Sequence, residues 1–219
     1  MIKYSFLFVL MLVGSLSSSA QESSDPEAME ILEQIKEDFD KNGDHQIEFD
    51  LTVEYPGEAN QVYSGRLLQS GEKFSLDLGD KLVISDNETV WLYLKERNEL
   101  QINDADFGDD GEYMSPNRIF NLYMSKDYVF ALSSNSYEDN KAVSQIECKP
   151  LDSDSEYSKM RLTVEDKGYR VKRFKIFSKD GSRFTMVLKD HKKNVKLASS
   201  SFAFDTSEYQ DIIVEDLRF

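Results

Sequence analysis

Between Ile47 and Asn103 the chain sets apolar side chains at nearly every second position and interrupts them at short intervals with turn residues. Successive side chains on a strand point to opposite sides, so this pattern fits strands with one buried face and leaves little room for helix. At its centre stands Leu82-Val83-Ile84-Ser85-Asp86-Asn87-Glu88-Thr89-Val90-Trp91-Leu92-Tyr93-Leu94. Two apolar arms flank four short polar residues that support a bent backbone, which predicts a β-hairpin with the only Trp on its second arm. Upstream, Ile47, Phe49, Leu51, Val53 and Tyr55 alternate with polar residues and stop at Pro56-Gly57. Residues 62–68 pair back across that turn, and Phe74, Leu76 and Leu78 alternate with Ser75 and Asp77. With 100–103 these make six consecutive antiparallel strands, a meander that must curl and find cover for its apolar side.

Two helices are predicted as the cover. Ser24-Asp25-Pro26-Glu27 joins a capping residue, a first-turn proline and an acid ahead of Ala28, Ile31, Leu32, Ile35 and Phe39 at helical spacing, which predicts a helix over 26–40. Ser115-Pro116 opens a second helix by the same logic, with Ile119, Phe120, Tyr123 and Met124 on one side. Strands resume at 143–150, 159–164, 169–178 and 182–188, around turns at Asp166-Lys167-Gly168 and Lys179-Asp180-Gly181. Phe202 and Phe204 read as part of a further strand, and Ile212-Ile213-Val214 as the last. The expected fold class is mainly β with two or three helices: a curled antiparallel sheet of about ten or eleven strands, forming an incomplete β-barrel beneath a helical lid.

Lys3 precedes an apolar run over 4–13 that is too short to cross a bilayer, followed by small residues ending at Ser18-Ser19-Ala20. Residues 1–20 read as a secretory signal peptide and 21–219 as a single exported, periplasmic domain, monomeric and soluble once processed. Gln21 stands where lipidation would need Cys, and Cys148 is the only thiol, so no internal disulfide forms. The formal net charge is −15. Such acidity argues against nucleic acid as a partner, since phosphate binding needs clustered Lys and Arg. The charge is uneven: residues 156–200 hold 13 Lys and Arg against 5 Asp and Glu. A docking face for an acidic partner and a set of outer-face lysines that keep strands soluble both fit that bias.

Little in the chain points to chemistry. Residues 38–51 resemble a calcium-binding EF-hand loop, yet the closing Glu falls on Phe49 or Leu51 according to frame, and in the second frame His45 takes the position that wants Gly. The acidic stretch over 103–115 reads as solvated loop. His45 and His191 are the only histidines, no Gly-x-Ser-x-Gly elbow displays a serine, and Cys148 on an alternating strand reads as a small buried hydrophobe. Zinc spacing and a phosphate loop are absent. The expectation is no enzyme, with no catalytic residue, metal or cofactor. A container remains, its cavity lined by Phe49, Leu51, Leu67, Phe74, Leu76, Ile84, Trp91 and Tyr93 and lidded by Ile119, Phe120 and Met124; an ordinary packed core has the same composition.

The central hairpin, with an apolar strand running into Ser85-Asp86 and Trp91 two residues before Tyr93, resembles the outer-membrane lipoprotein carrier (LolA-like) family of periplasmic carriers. The likeness extends to Gly65 ahead of an alternating strand, Ser115-Pro116, the turns at Asp166 and Lys179-Asp180-Gly181, and Phe202-Ala203-Phe204 followed by the acidic end of the chain. The resemblance implies a hydrophobic cavity that shields the acyl chains of lipoproteins, or of a related lipid, between an inner-membrane transporter and an outer-membrane acceptor. It equally fits a periplasmic interaction or sensor domain of the same fold without lipid cargo. Where familiar members carry an Arg-Pro pair that holds the lid, this chain reads Ser70-Gly71-Glu72-Lys73, with Arg66 nearby. Physics limits any such carrier. Three chains of about 15 methylenes at roughly 0.8 kcal/mol each would give about 36 kcal/mol, above the roughly 18–21 kcal/mol at which affinities saturate, so only part of a triacyl anchor is buried.

Overall fold

The computed structural model describes residues 23–105 and 127–218. The signal segment, the second helix with Ile119, Phe120 and Met124, and most of the acidic stretch lie outside them.

Helix α1 spans Pro26–Lys41 and is built as the local chemistry dictates. The Asp25 carboxylate accepts from the backbone N–H of Glu27 at 2.9 Å, Pro26 occupies the first turn where no donor is needed, and Asn42 closes the C-terminus. The helix buries Ala28, Ile35 and Phe39, the one-sided face its spacing predicts.

Among the described residues twelve strands follow: β1 His45–Glu54, β2 Gln61–Ser70, β3 Lys73–Leu78, β4 Lys81–Ser85, β5 Thr89–Leu94, β6 Glu99–Asp104, β7 Tyr128–Glu138, β8 Lys141–Pro150, β9 Tyr157–Glu165, β10 Val171–Ser178, β11 Arg183–Lys193 and β12 Ile213–Asp216. They form one sheet in the order β12-β6-β5-β4-β3-β2-β1-β11-β10-β9-β8-β7. Its two edges, β12 and β7, do not pair with each other, so the barrel stays incomplete. The six-strand meander stands as expected, with the central turn held by Asp86, whose carboxylate accepts from the N–H groups of Glu88 and Thr89 at 2.9 and 2.8 Å.

Three features depart from the sequence reading. The sheet is not wholly antiparallel, because β12 runs parallel to β6. Phe202 closes a short 3₁₀ turn, Ser199–Phe202, instead of lying in a strand. Strand β7 has no counterpart among the expected strands: Leu132 to Ser136 is polar and serine-rich, with a register shift between Leu132 and Ser134, so no clean alternation marks it.

Directly paired residues share a face of the sheet, so the register sorts the side chains. The inner face is the one that carries α1. Ala28 packs there against Phe130, Ile146, Cys148 and Met160, with Phe174 and Ile176 beside them. At the other end of the helix Phe39 packs against Ile47 and Phe49, joined by Leu51, Leu67, Leu76, Leu78, Met186 and Leu188. Each of these large apolar side chains contributes roughly 1.5–3 kcal/mol if fully withdrawn from water, which is what holds α1 to the sheet. Gly65 lies opposite Phe49, and a Cβ placed on it would fall 2.3 Å from Phe49 Cζ. The ring needs that bare backbone to lie flat.

Candidate functional site

Following the register from β1 outward, Ile47 pairs with Leu67, Leu67 with Leu76, Leu76 with Val83 and Val83 with Leu92. This inner-face row holds or adjoins five of the eight residues expected to line a cavity: Phe49, Leu51, Leu67, Phe74 and Leu76. The other three do not join them. Ile84 pairs with Trp91, and Tyr93 with Leu82, on positions alternate to Val83 and Leu92, so Ile84, Trp91 and Tyr93 occupy the outer face. Leu82 to Ile84 and Val90 to Leu94 are uninterrupted apolar runs, which give alternation no sign of which parity faces in.

On the outer face the end of the chain packs over Tyr93. Tyr93 meets Phe204 and Tyr209 with ring centroids 5.3 and 4.8 Å away, and those two rings stack at 4.7 Å. The Tyr93 hydroxyl donates to Asn98 Oδ1 at 2.9 Å, and Asn98 Nδ2 donates to the Gln210 carbonyl at 2.9 Å, tying the segment down. Ile84, Tyr93, Leu100 and Phe202 are all buried.

On the inner face a cleft of about 330 Å³ opens between the C-terminal half of α1 and the sheet. Ile35, Phe39, Ile47, Val171 and Leu188 form its apolar part; Asp38, Arg170, Asp190, His191 and Lys193 supply polar groups. None of the eight predicted cavity residues lines it. Phe39, Ile47 and Leu188 nevertheless belong to the same apolar cluster as Phe49, Leu51, Leu67 and Leu76, so the apolar wall of the cleft runs on into the inner-face row. The helix side of this cleft was legible in the spacing of Ile35 and Phe39. Its β11 and β10 side, more than 130 residues further along, was not.

The two histidines meet beside this cleft. His45, 1% exposed, stacks on Phe39 with centroids 3.9 Å apart, and its Nε2 lies 2.9 Å from the Phe39 carbonyl. A carbonyl only accepts, so Nε2 carries the proton and Nδ1 is left to accept from His191 Nε2–H, 2.9 Å away. Neutral rings thus satisfy one another and the end of α1. Burial pushes His191 down to about 4, and the neighbouring His45 and Lys193 push the same way; burial likewise lowers His45, against the Phe39 carbonyl. Lys193 pairs with Asp38, latching β11 to the helix. No signal in the sequence joins residues 146 positions apart.

Elsewhere the candidates for chemistry serve the fold. Asp44 of the EF-hand-like stretch accepts from Ser70 Oγ at 2.6 Å, and Asn42 caps α1. Cys148 is buried in the core beneath α1, and burial pushes its thiol up to about 12, far from a thiolate at neutral pH. Among the described residues no group of three or more His, Cys, Asp or Glu could hold a metal ion, and no helix is long and apolar enough to cross a membrane.

Comparison with known proteins adds a family. The model of the family described as "Outer membrane lipoprotein carrier protein LolA" matches residues 45–205. A conserved protein from Thermus thermophilus superposes with a TM-score of 0.57 at 13% identity, over 87% of this chain and 99% of its own. A LolA superfamily protein from Nitrosomonas europaea gives 0.42 at 15% identity, over 81% and 97%. A putative outer membrane lipoprotein-sorting protein domain from Vibrio parahaemolyticus gives 0.44 at 14% identity, over 80% and 97%. No curated protein matches.

Proposed function

This chain belongs to the outer membrane lipoprotein carrier family, whose model spans most of it, and from that premise we propose that it is a periplasmic carrier holding part of an acyl chain against the inner face of its sheet. The observation that carries the reading is the cleft between α1 and β11, whose apolar lining residues Ile47 and Leu188 belong to the same cluster as the inner-face row that runs from Ile47 to Leu92. Its volume of about 330 Å³ sits at the low end of small-molecule sites, which span roughly 300–1,000 Å³. About ten methylenes buried at roughly 0.8 kcal/mol each would give about 8 kcal/mol, near micromolar affinity. That strength suits a carrier that must also release. The proposed role is transfer of an acylated protein or related lipid from an inner-membrane donor to an outer-membrane acceptor.

Mass spectrometry of organic extracts from protein purified out of the periplasm tests this. Co-purified acyl lipid at a defined ratio is expected, and its loss in Leu188→Glu. Protein that is free of lipid and takes up none from a micellar lipopeptide would overturn the reading in favour of an interaction domain of the same fold.

A further inference from the structure

On the outer face of β9, β10 and β11, away from the cleft, four cations surround one aromatic ring. Lys159 Nζ, the Arg161 guanidinium, Lys175 Nζ and the Arg183 guanidinium lie 5.2, 5.4, 5.4 and 5.2 Å from the centroid of Phe177. The register brings them together: Phe177 pairs with Lys159 on one side and Arg183 on the other, and Lys175 pairs with Arg161. Energetically significant cation–π contacts occur about once per 70–80 residues, and a ring has only two faces, so four cations on one ring exceed what the ring alone can stabilise.

Nearby carboxylates offset only part of this charge. Glu147 Oε1 takes Lys159 at 2.8 Å and Arg161 at 2.5 Å, and Glu54 takes Lys175 at 3.4 Å. Burial pushes Glu147 up, but the two cations outweigh it and hold its carboxyl below the ordinary value, so it stays ionised. Arg183 donates to the Gly181 carbonyl at 3.2 Å and makes no ion pair with a described residue. Among the described residues four positive charges thus face two negative ones, on a chain whose net charge is −15. Solubility does not account for the arrangement. Lysines that blunt pairing belong on edge strands, whereas β9, β10 and β11 are interior to the sheet. Arg together with an aromatic is instead the composition of interface cores.

We infer that this outer face docks an acidic segment of a partner polypeptide, with Phe177 as the platform and Arg183 as the principal carboxylate receptor. Arg183 stands opposite Glu54 across β1 and β11, but Glu54 is taken by Lys175 and Glu147 by Lys159 and Arg161, so a discrete carboxylate can meet the Arg183 fork in a bidentate pair. A continuous anionic bilayer would be pressed against both of those acids, so the observations favour a peptide. This docking is independent of lipid in the cleft, since the two sites lie on opposite faces.

Fluorescence anisotropy of a labelled peptide of repeated Glu and Tyr, titrated with the full chain at low and at physiological salt, tests the inference. Saturable binding that weakens with salt is expected, with a loss of about tenfold in the double variant Lys175→Gln/Arg183→Gln and a smaller but clear loss in Arg183→Lys, which keeps the charge and removes the fork. Thermal unfolding of each variant separates lost docking from lost fold. Lys192→Gln/Lys196→Gln, which removes the same charge from the same stretch away from Phe177, should bind as the parent does. Absence of saturable binding, an equal loss in both double variants, or binding to phosphatidylglycerol vesicles but not to the peptide would each overturn the proposal.

Discussion

On β4 and β5 both faces of the sheet are apolar, with Val83 and Leu92, extended by Leu76 of β3, on one and Ile84, Trp91 and Tyr93 on the other. Their surroundings differ in kind. In the outer set Tyr93 is covered by Phe204 and Tyr209 and tied by the hydrogen bonds of Asn98, Ile84 is buried, and Trp91 is half-buried. The inner set belongs to a row that starts at Ile47, a residue of the cleft under α1. Side-chain composition does not distinguish a core from a ligand-facing surface. What distinguishes the two faces here is what each packs toward: the chain end on one side, the cleft under α1 on the other.

That contrast can be broken experimentally. The largest expected effect is on lipid capture: Leu188→Glu puts a charge into the apolar part of the cleft and should cut affinity for an acylated peptide about 100-fold, near 3 kcal/mol, in a fluorescent-lipid titration. Trp91→Glu, on the outer face, should stay within about twofold. Equal losses in the two variants would erase the distinction between the faces.

The histidine pair should make the helix end of the inner face sensitive to acid. His191 titrates at about 4 when folded against 6.5 when exposed, so between those values the unfolded chain binds the extra proton. Stability is therefore complete above pH 6.5 and falls as pH drops toward 4, by on the order of 3 kcal/mol. Denaturant midpoints measured across that window check this, and His191→Asn should flatten the slope.

Gly65→Ala should cost about 2 kcal/mol in urea unfolding, because the new Cβ drives into the Phe49 ring and the inner-face packing must give. Phe204→Ala should cost least, about 1–2 kcal/mol, by removing one of the three rings that close the outer face. It should leave lipid capture unchanged.

Much of this molecule follows from short stretches read in isolation. Cap, proline and apolar spacing placed α1 to within a residue of Pro26–Lys41, and alternation with turn chemistry placed β1 to β6, because both depend on groups a few positions apart. Phe49, Leu51 and Leu67 could be assigned to a common apolar face for the same reason: each stands between polar neighbours or pairs across one tight turn. Tertiary structure alone decided the facing of Ile84, Trp91 and Tyr93, the parallel docking of β12, the meeting of His45 with His191 and the gathering of cations around Phe177. A two-residue period says that sides alternate without saying which side faces in. That sign is set by partners far along the chain, and a shift of one residue in pairing reverses it for a whole strand.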